Sequence, residues 1–61
     1  MDATYEIFKE QPQGPIWIET VTGLERIKER LSSLNEIKPG AYFAYDIREA
    51  RIIERLPRQP K

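Results

Sequence analysis

Residues 22–35, Thr22-Gly23-Leu24-Glu25-Arg26-Ile27-Lys28-Glu29-Arg30-Leu31-Ser32-Ser33-Leu34-Asn35, decide the fold of this 61-residue chain. Leu24, Ile27, Leu31 and Leu34 follow at spacings of three, four and three. At about 100° per residue that is one narrow apolar stripe of a helix. Glu25, Arg26, Glu29 and Ser33 fall on the opposite side. Thr22-Gly23-Leu24-Glu25 reads as a capping box, with Thr22 as N-cap and Glu25 reaching back from the third helical position. Asn35 can end the helix, and Pro39-Gly40 bars its continuation. The stripe covers less than two heptads, too little for a coiled-coil seam, so its partner is a sheet.

Working outward, residues 4–10 are rich in β-branched and aromatic side chains and read as a strand, as do residues 16–21. Between them Gln11-Pro12-Gln13-Gly14-Pro15 is a turn, because proline supplies no ladder donor and glycine tolerates positive φ. A four-residue loop over 11–14 pairs Glu10 with Pro15. Phe8 then faces Trp17, Ile7 faces Ile18 and Glu6 faces Glu19. Residues 41–46 give a third strand. Residues 47–56 have two readings. As a hairpin they turn at 47–50 and return as a strand over 51–56, which Ile52-Ile53 favours. As a helix, Asp46 caps and Ile47, Ala50, Ile53 and Leu56 share a face, which Arg, Glu and Ala favour.

The strand reading leads to an α+β fold, β-β-α-β-β, with one helix packed on a four-stranded antiparallel sheet of order 2-1-3-4. The alternative is β-β-α-β-α with a C-terminal helix. Either way residues 1–56 make one small domain and 57–61 a frayed tail. Its Pro57-Arg58-Gln59-Pro60-Lys61 matches a PxxP pattern that two prolines produce easily by chance. The initiating Met and the absence of a basic, apolar leader lead us to expect a complete small protein with no signal peptide or membrane span.

Two stretches, Ile16-Trp17-Ile18-Glu19 with Gly23-Leu24-Glu25, and Pro39-Gly40-Ala41-Tyr42-Phe43-Ala44-Tyr45-Asp46, resemble a set of short uncharacterised bacterial proteins. Their pattern runs W-x-E, then L-E, then P-G-x-Y-F-x-x-D. The resemblance spans most of residues 5–53 and implies a fold but no activity. Such proteins carry glycine where this chain has Ala50, at a turn position that favours positive φ.

Composition removes several chemistries. The chain has no histidine and no cysteine. That leaves no Ser-His-Asp or Cys-His triad, no imidazole proton shuttle, no disulfide and few transition-metal options. The absence of cysteine suits a reducing cytoplasm. Three scattered glycines make no phosphate-cradling loop. The expectation is a non-enzymatic protein with no catalytic residue, no metal and no cofactor.

Ten basic and ten acidic residues cancel, which argues against a dedicated nucleic-acid binder. The charges are unevenly spread. Asp2, Glu6, Glu10, Glu19 and Glu25 face only Lys9 in the first 25 residues, while Arg48, Arg51, Arg55, Arg58 and Lys61 dominate the last fifteen. Complementary hairpins side by side in one sheet account for this. Glu6 and Glu19, placed opposite each other, call for an arginine such as Arg51 or Arg55 between them.

One helix covers one face of a sheet. The stripe of Leu24, Ile27, Leu31 and Leu34 is expected to claim Tyr5, Ile7, Ile18, Phe43 and Tyr45. The open face then presents Phe8, Trp17 and Tyr42 as apolar anchors, rimmed by Glu6, Glu19 and Arg55. A protein partner, including a second copy in a homodimer, is the leading use of such a face. The runner-up is weak binding of single-stranded nucleic acid, with bases stacked on the rings and Arg48, Arg51 and Arg55 on the phosphates. A cross-strand aromatic pair covered by long side-chain stems would account for the rings with no partner at all.

Overall fold

A computed structural model describes residues 3–57. The chain runs β1 (Thr4–Lys9), β2 (Ile16–Thr22), α1 (Leu24–Ile37), β3 (Tyr42–Asp46), β4 (Arg51–Leu56). The four strands form one antiparallel sheet of order β2-β1-β3-β4 with α1 on one face. This is the expected β-β-α-β-β architecture, and residues 51–56 are a strand rather than a helix. The expected tail beyond Pro57 lies outside the described residues.

The core sits between α1 and the sheet. Tyr5, Ile7, Val21, Ile27, Leu31, Tyr42 and Ala44 are buried there, with Ile18, Leu34, Ile53 and Leu56 packed against them. Of the helical stripe, Leu24 lies 60% exposed at the helix start. The helix N-cap is Gly23 rather than Thr22, with φ 99° and no side-chain cap. Such a φ is the left-handed region that glycine enters without a Cβ clash. Thr22 instead stays in β2, paired with Thr4, and the Gly23 N–H donates to the Ala3 carbonyl at 3.0 Å. The helix begins where the sheet ladder ends.

At its other end α1 runs two residues past Asn35. The Asn35 side chain accepts from the Gly40 N–H at 3.0 Å, closing the loop after the helix. The Tyr42 hydroxyl donates to the Lys38 carbonyl at 2.5 Å, with the Leu34 carbonyl 3.3 Å away. The Lys38 carbonyl is one that a helix C-terminus leaves without an intrahelical donor, whereas the Leu34 carbonyl already accepts from the Lys38 N–H at 2.9 Å.

The β3–β4 turn combines parts of both sequence readings. The Asp46 carboxylate accepts from the Glu49 N–H at 3.2 Å, the bond a helix N-cap would make. The chain then reverses because Ala50 adopts φ 56°. A left-handed residue closing a four-residue loop turns the incipient helix into a hairpin.

Both edge strands are bulged. In β2 the pairing jumps from Ile7↔Glu19 to Phe8↔Trp17, leaving Ile18 as the extra residue. In β4 it jumps from Ala44↔Glu54 to Tyr45↔Ile52, leaving Ile53 extra. Ile7 and Ala44 face each other at the sheet centre, so the two bulges lie at one level on opposite edges. Each lets an additional isoleucine reach the core, and each reverses the facing of the residues beyond it.

Candidate functional site: the open face of the sheet

The ladder registers set out the face away from the helix. One row crosses the sheet as Trp17, Phe8, Phe43, Arg55, each opposite the next. The adjacent row runs Thr20, Glu6, Tyr45, Ile52. Strands about 4.8 Å apart bring neighbouring rings of the first row into contact. Phe8 and Phe43 stack with centroids 5.2 Å apart and planes 17° from parallel. That geometry adds about 0.5–1.5 kcal/mol beyond simple burial. Phe8, Pro15, Phe43, Tyr45 and Ile52 line a shallow groove of about 270 Å³ with no polar surface.

Trp17 stands beside this groove, 58% exposed, yet its ring is held. The indole N–H donates to Glu6 Oε1 at 2.6 Å, and the Thr20 hydroxyl donates to the same oxygen at 2.8 Å. Glu6 therefore orients the largest exposed ring of the face. Fixing it in advance removes part of the ordering cost a partner would otherwise meet.

Several expectations about this face are corrected. Tyr42 is not an open-face anchor: it is 3% exposed beneath the helix, paired with Lys9, whose ammonium lies 5.6 Å from the Tyr42 ring centroid. Ala44 likewise points into the core, while Phe43 and Tyr45, expected under the helix, belong to the open face. The β1–β3 register sets this parity, with Ile7 opposite Ala44 and Phe8 opposite Phe43. The small Ala44 sits beneath the helix and the rings on either side of it turn outward.

Glu19 is also displaced. The β2 bulge pairs Glu6 with Thr20 and puts Glu19 opposite Ile7 on the helix side. There it meets Arg30 of α1 in a two-point contact, Nε to Oε2 at 2.6 Å and Nη2 to Oε1 at 2.8 Å. The hydrogen bond to Glu19 holds the Arg30 guanidinium above its ordinary pKa. The paired carboxylates expected on one face are thus split across the sheet, and no strand arginine screens them. The acidic and basic hairpins do lie side by side, β1 against β3, but the partner of Glu19 is the helix arginine rather than a strand residue. Phe8, Trp17, Glu6 and Arg55 do come together on the open face as expected.

Among the described residues no group of three or more His, Cys, Asp or Glu is arranged to hold a metal ion. No helix among them is long and apolar enough to cross a membrane. A second hollow, between Ala3, Thr4, Ile47 and Arg48, brings together one cation and no complementary group.

The fold and face define a two-layer α+β domain with one sheet surface left uncovered. The chain matches no protein-family model, no curated protein and no solved structure.

Proposed function

We propose that this chain is a small, non-enzymatic protein-interaction module that binds through the open face of its sheet. The observation that carries the reading is Trp17, largely exposed yet locked by Glu6 beside a wholly apolar groove. Exposed tryptophan, tyrosine and arginine are enriched among the residues that dominate binding energy. Here Trp17, Tyr45 and Arg55 share one surface with two stacked phenylalanines. The corrected anchors are Trp17, Phe8, Tyr45 and Ile52 around the buried Phe43, with Glu6 and Arg55 as the charged groups. The lack of cysteine suits a module working in a reducing cytoplasm, and the W-x-E and P-G-x-Y-F stretches support a bacterial origin.

A photo-crosslinking residue at position 17 tests the reading in cells. Protein adducts should form from position 17 and not from position 24, an equally exposed site on the helix. Equal labelling from both positions would refute it.

One observation favours a second reading. Three rings in a row ending at an arginine are the elements of a single-strand stacking platform. Glu6 at the centre of the next row and a net charge of zero weigh against it. Adducts to RNA or DNA from position 17, strengthened at low salt, would favour it over the protein partner.

A further inference from the structure

Resting on that reading of the open face, we infer that its occupant is a second copy of this chain, related by a two-fold axis parallel to the strands and passing between β1 and β3. The inference comes from the two rows of side chains. Such an axis lays β2 of one copy over β4 of the other, and β1 over β3. Trp17 then meets the second copy's Arg55, Phe8 meets its Phe43, Thr20 meets its Ile52, and Glu6 meets its Tyr45. Each of these contacts occurs twice, as an isologous interface requires.

Every pairing is chemically favourable or neutral. A guanidinium over an indole face is a cation–π contact. Phe8 and Phe43, already stacked within one copy, lie against the second copy's pair, with Phe8 supplying most of the contact because Phe43 is only 9% exposed. Both hydrogen bonds from Trp17 and Thr20 land on Glu6 Oε1, which leaves Oε2 to accept from the second copy's Tyr45 hydroxyl. A buried carboxylate needs such donors. The exposed Trp17 ring descends beside the second copy's Phe43 and Ile52, at the edge of its apolar groove.

An axis perpendicular to the strands and passing between the two rows sets each row over the other. It lays Phe8 on the carboxylate of Glu6 and Arg55 on Ile52, burying two charges against apolar groups. Of these two placements, the axis parallel to the strands leaves no charge against an apolar group. It keeps the strands of the two copies parallel, within the roughly 30° offset that sheet twist imposes on aligned sheets.

Charge points to a second copy over a foreign partner. The two rows carry one carboxylate, Glu6, and one guanidinium, Arg55, so the face is neutral toward itself and offers no field to select an acidic or basic partner. The footprint is about 19 Å by 20 Å, on the order of 400 Å² per copy from strand spacing and rise. At about 800 Å² in total that falls below the standard size and in the class of weak, transient interfaces, so the dimer forms only at high protein concentration.

Sedimentation of the full chain over a wide concentration range, with two variants and one crosslinking pair, tests this. The native protein should pass from monomer to dimer. Trp17→Ala and Arg55→Glu should each weaken dimerisation about tenfold or more, with helical circular dichroism and melting temperature showing that the fold persists. Because the chain has no cysteine, Thr20→Cys and Ile52→Cys proteins can be mixed and treated with a short bismaleimide. The mixed product should dominate over either homodimer.

Homodimer products dominating would overturn the operator. Monomer at every concentration would overturn the second copy, while adducts to other proteins from position 17 would then preserve the interaction reading. A dimer that neither variant weakens would overturn both. Oligonucleotide bound in place of a second copy would overturn the proposal in favour of the stacking platform.

Discussion

The two faces of the sheet are built from similar residues and do different things. Beneath the helix lie Tyr5, Ile7, Val21, Tyr42 and Ala44; on the open side lie Phe8, Trp17, Phe43, Tyr45 and Ile52. The covered face has Ile7 and Ala44 fully buried at its centre and its Tyr42 hydroxyl spent on helix carbonyls. The open face carries four of the six aromatic side chains, but its polar groups serve to fix a ring in place. The difference teaches that aromatic content alone does not mark a core. What separates the faces is whether the polar atoms are used to close the fold or to orient an exposed side chain.

The comparison can be broken first at the helix. Leu31→Ala should cost about 2–5 kcal/mol, the range for deleting a buried leucine. A chain of this length holds about 3–9 kcal/mol in total, so denaturant melts should find the variant largely unfolded. Next comes the parity of β3. Ala44→Leu should destabilise by about 1–3 kcal/mol through overpacking beneath α1; a neutral result would mean that Ala44 faces outward and the two faces are misassigned.

Smaller effects sharpen the same contrast. Ala50 pays for a left-handed conformation in the β3–β4 turn, so Ala50→Gly should raise stability by about 0.5–1 kcal/mol, seen as a shifted denaturation midpoint. The smallest effect on folding belongs to Trp17. Trp17→Ala should change the stability of the monomer by less than about 1 kcal/mol, since it removes an exposed cross-strand pair and no core contact.

Much of this fold is legible in the sequence. The apolar stripe at 24, 27, 31 and 34, the proline-rich turn and the Phe8–Trp17 pairing lead directly to the helix, the first hairpin and the strand order. The two bulges are not legible. Ile18 and Ile53 each follow another apolar residue, Trp17 and Ile52, and an inserted residue leaves no trace in an alternation that is already interrupted. Misreading the first of them moves Glu19 to the wrong face.

The parity of β3 was hard for a related reason. In Tyr42-Phe43-Ala44-Tyr45 three of four side chains are rings, so alternation gives no preference. Two signals were nevertheless present. Ala44 is the one small residue in the strand and suits the close approach of a helix. Tyr42, two residues after Pro39-Gly40, lies within reach of the carbonyls at the end of α1.

The central claim, that the open face is a binding surface with a pre-set tryptophan, is tested most directly by acrylamide quenching of Trp17 fluorescence as the protein is concentrated. Trp17 is the only tryptophan in the chain, so the signal reports this site alone. The account predicts strong quenching in dilute solution that falls as copies associate and the indole is covered. Quenching that is weak even at the lowest concentration would contradict it, whereas strong quenching that never changes with concentration would remove only the second copy.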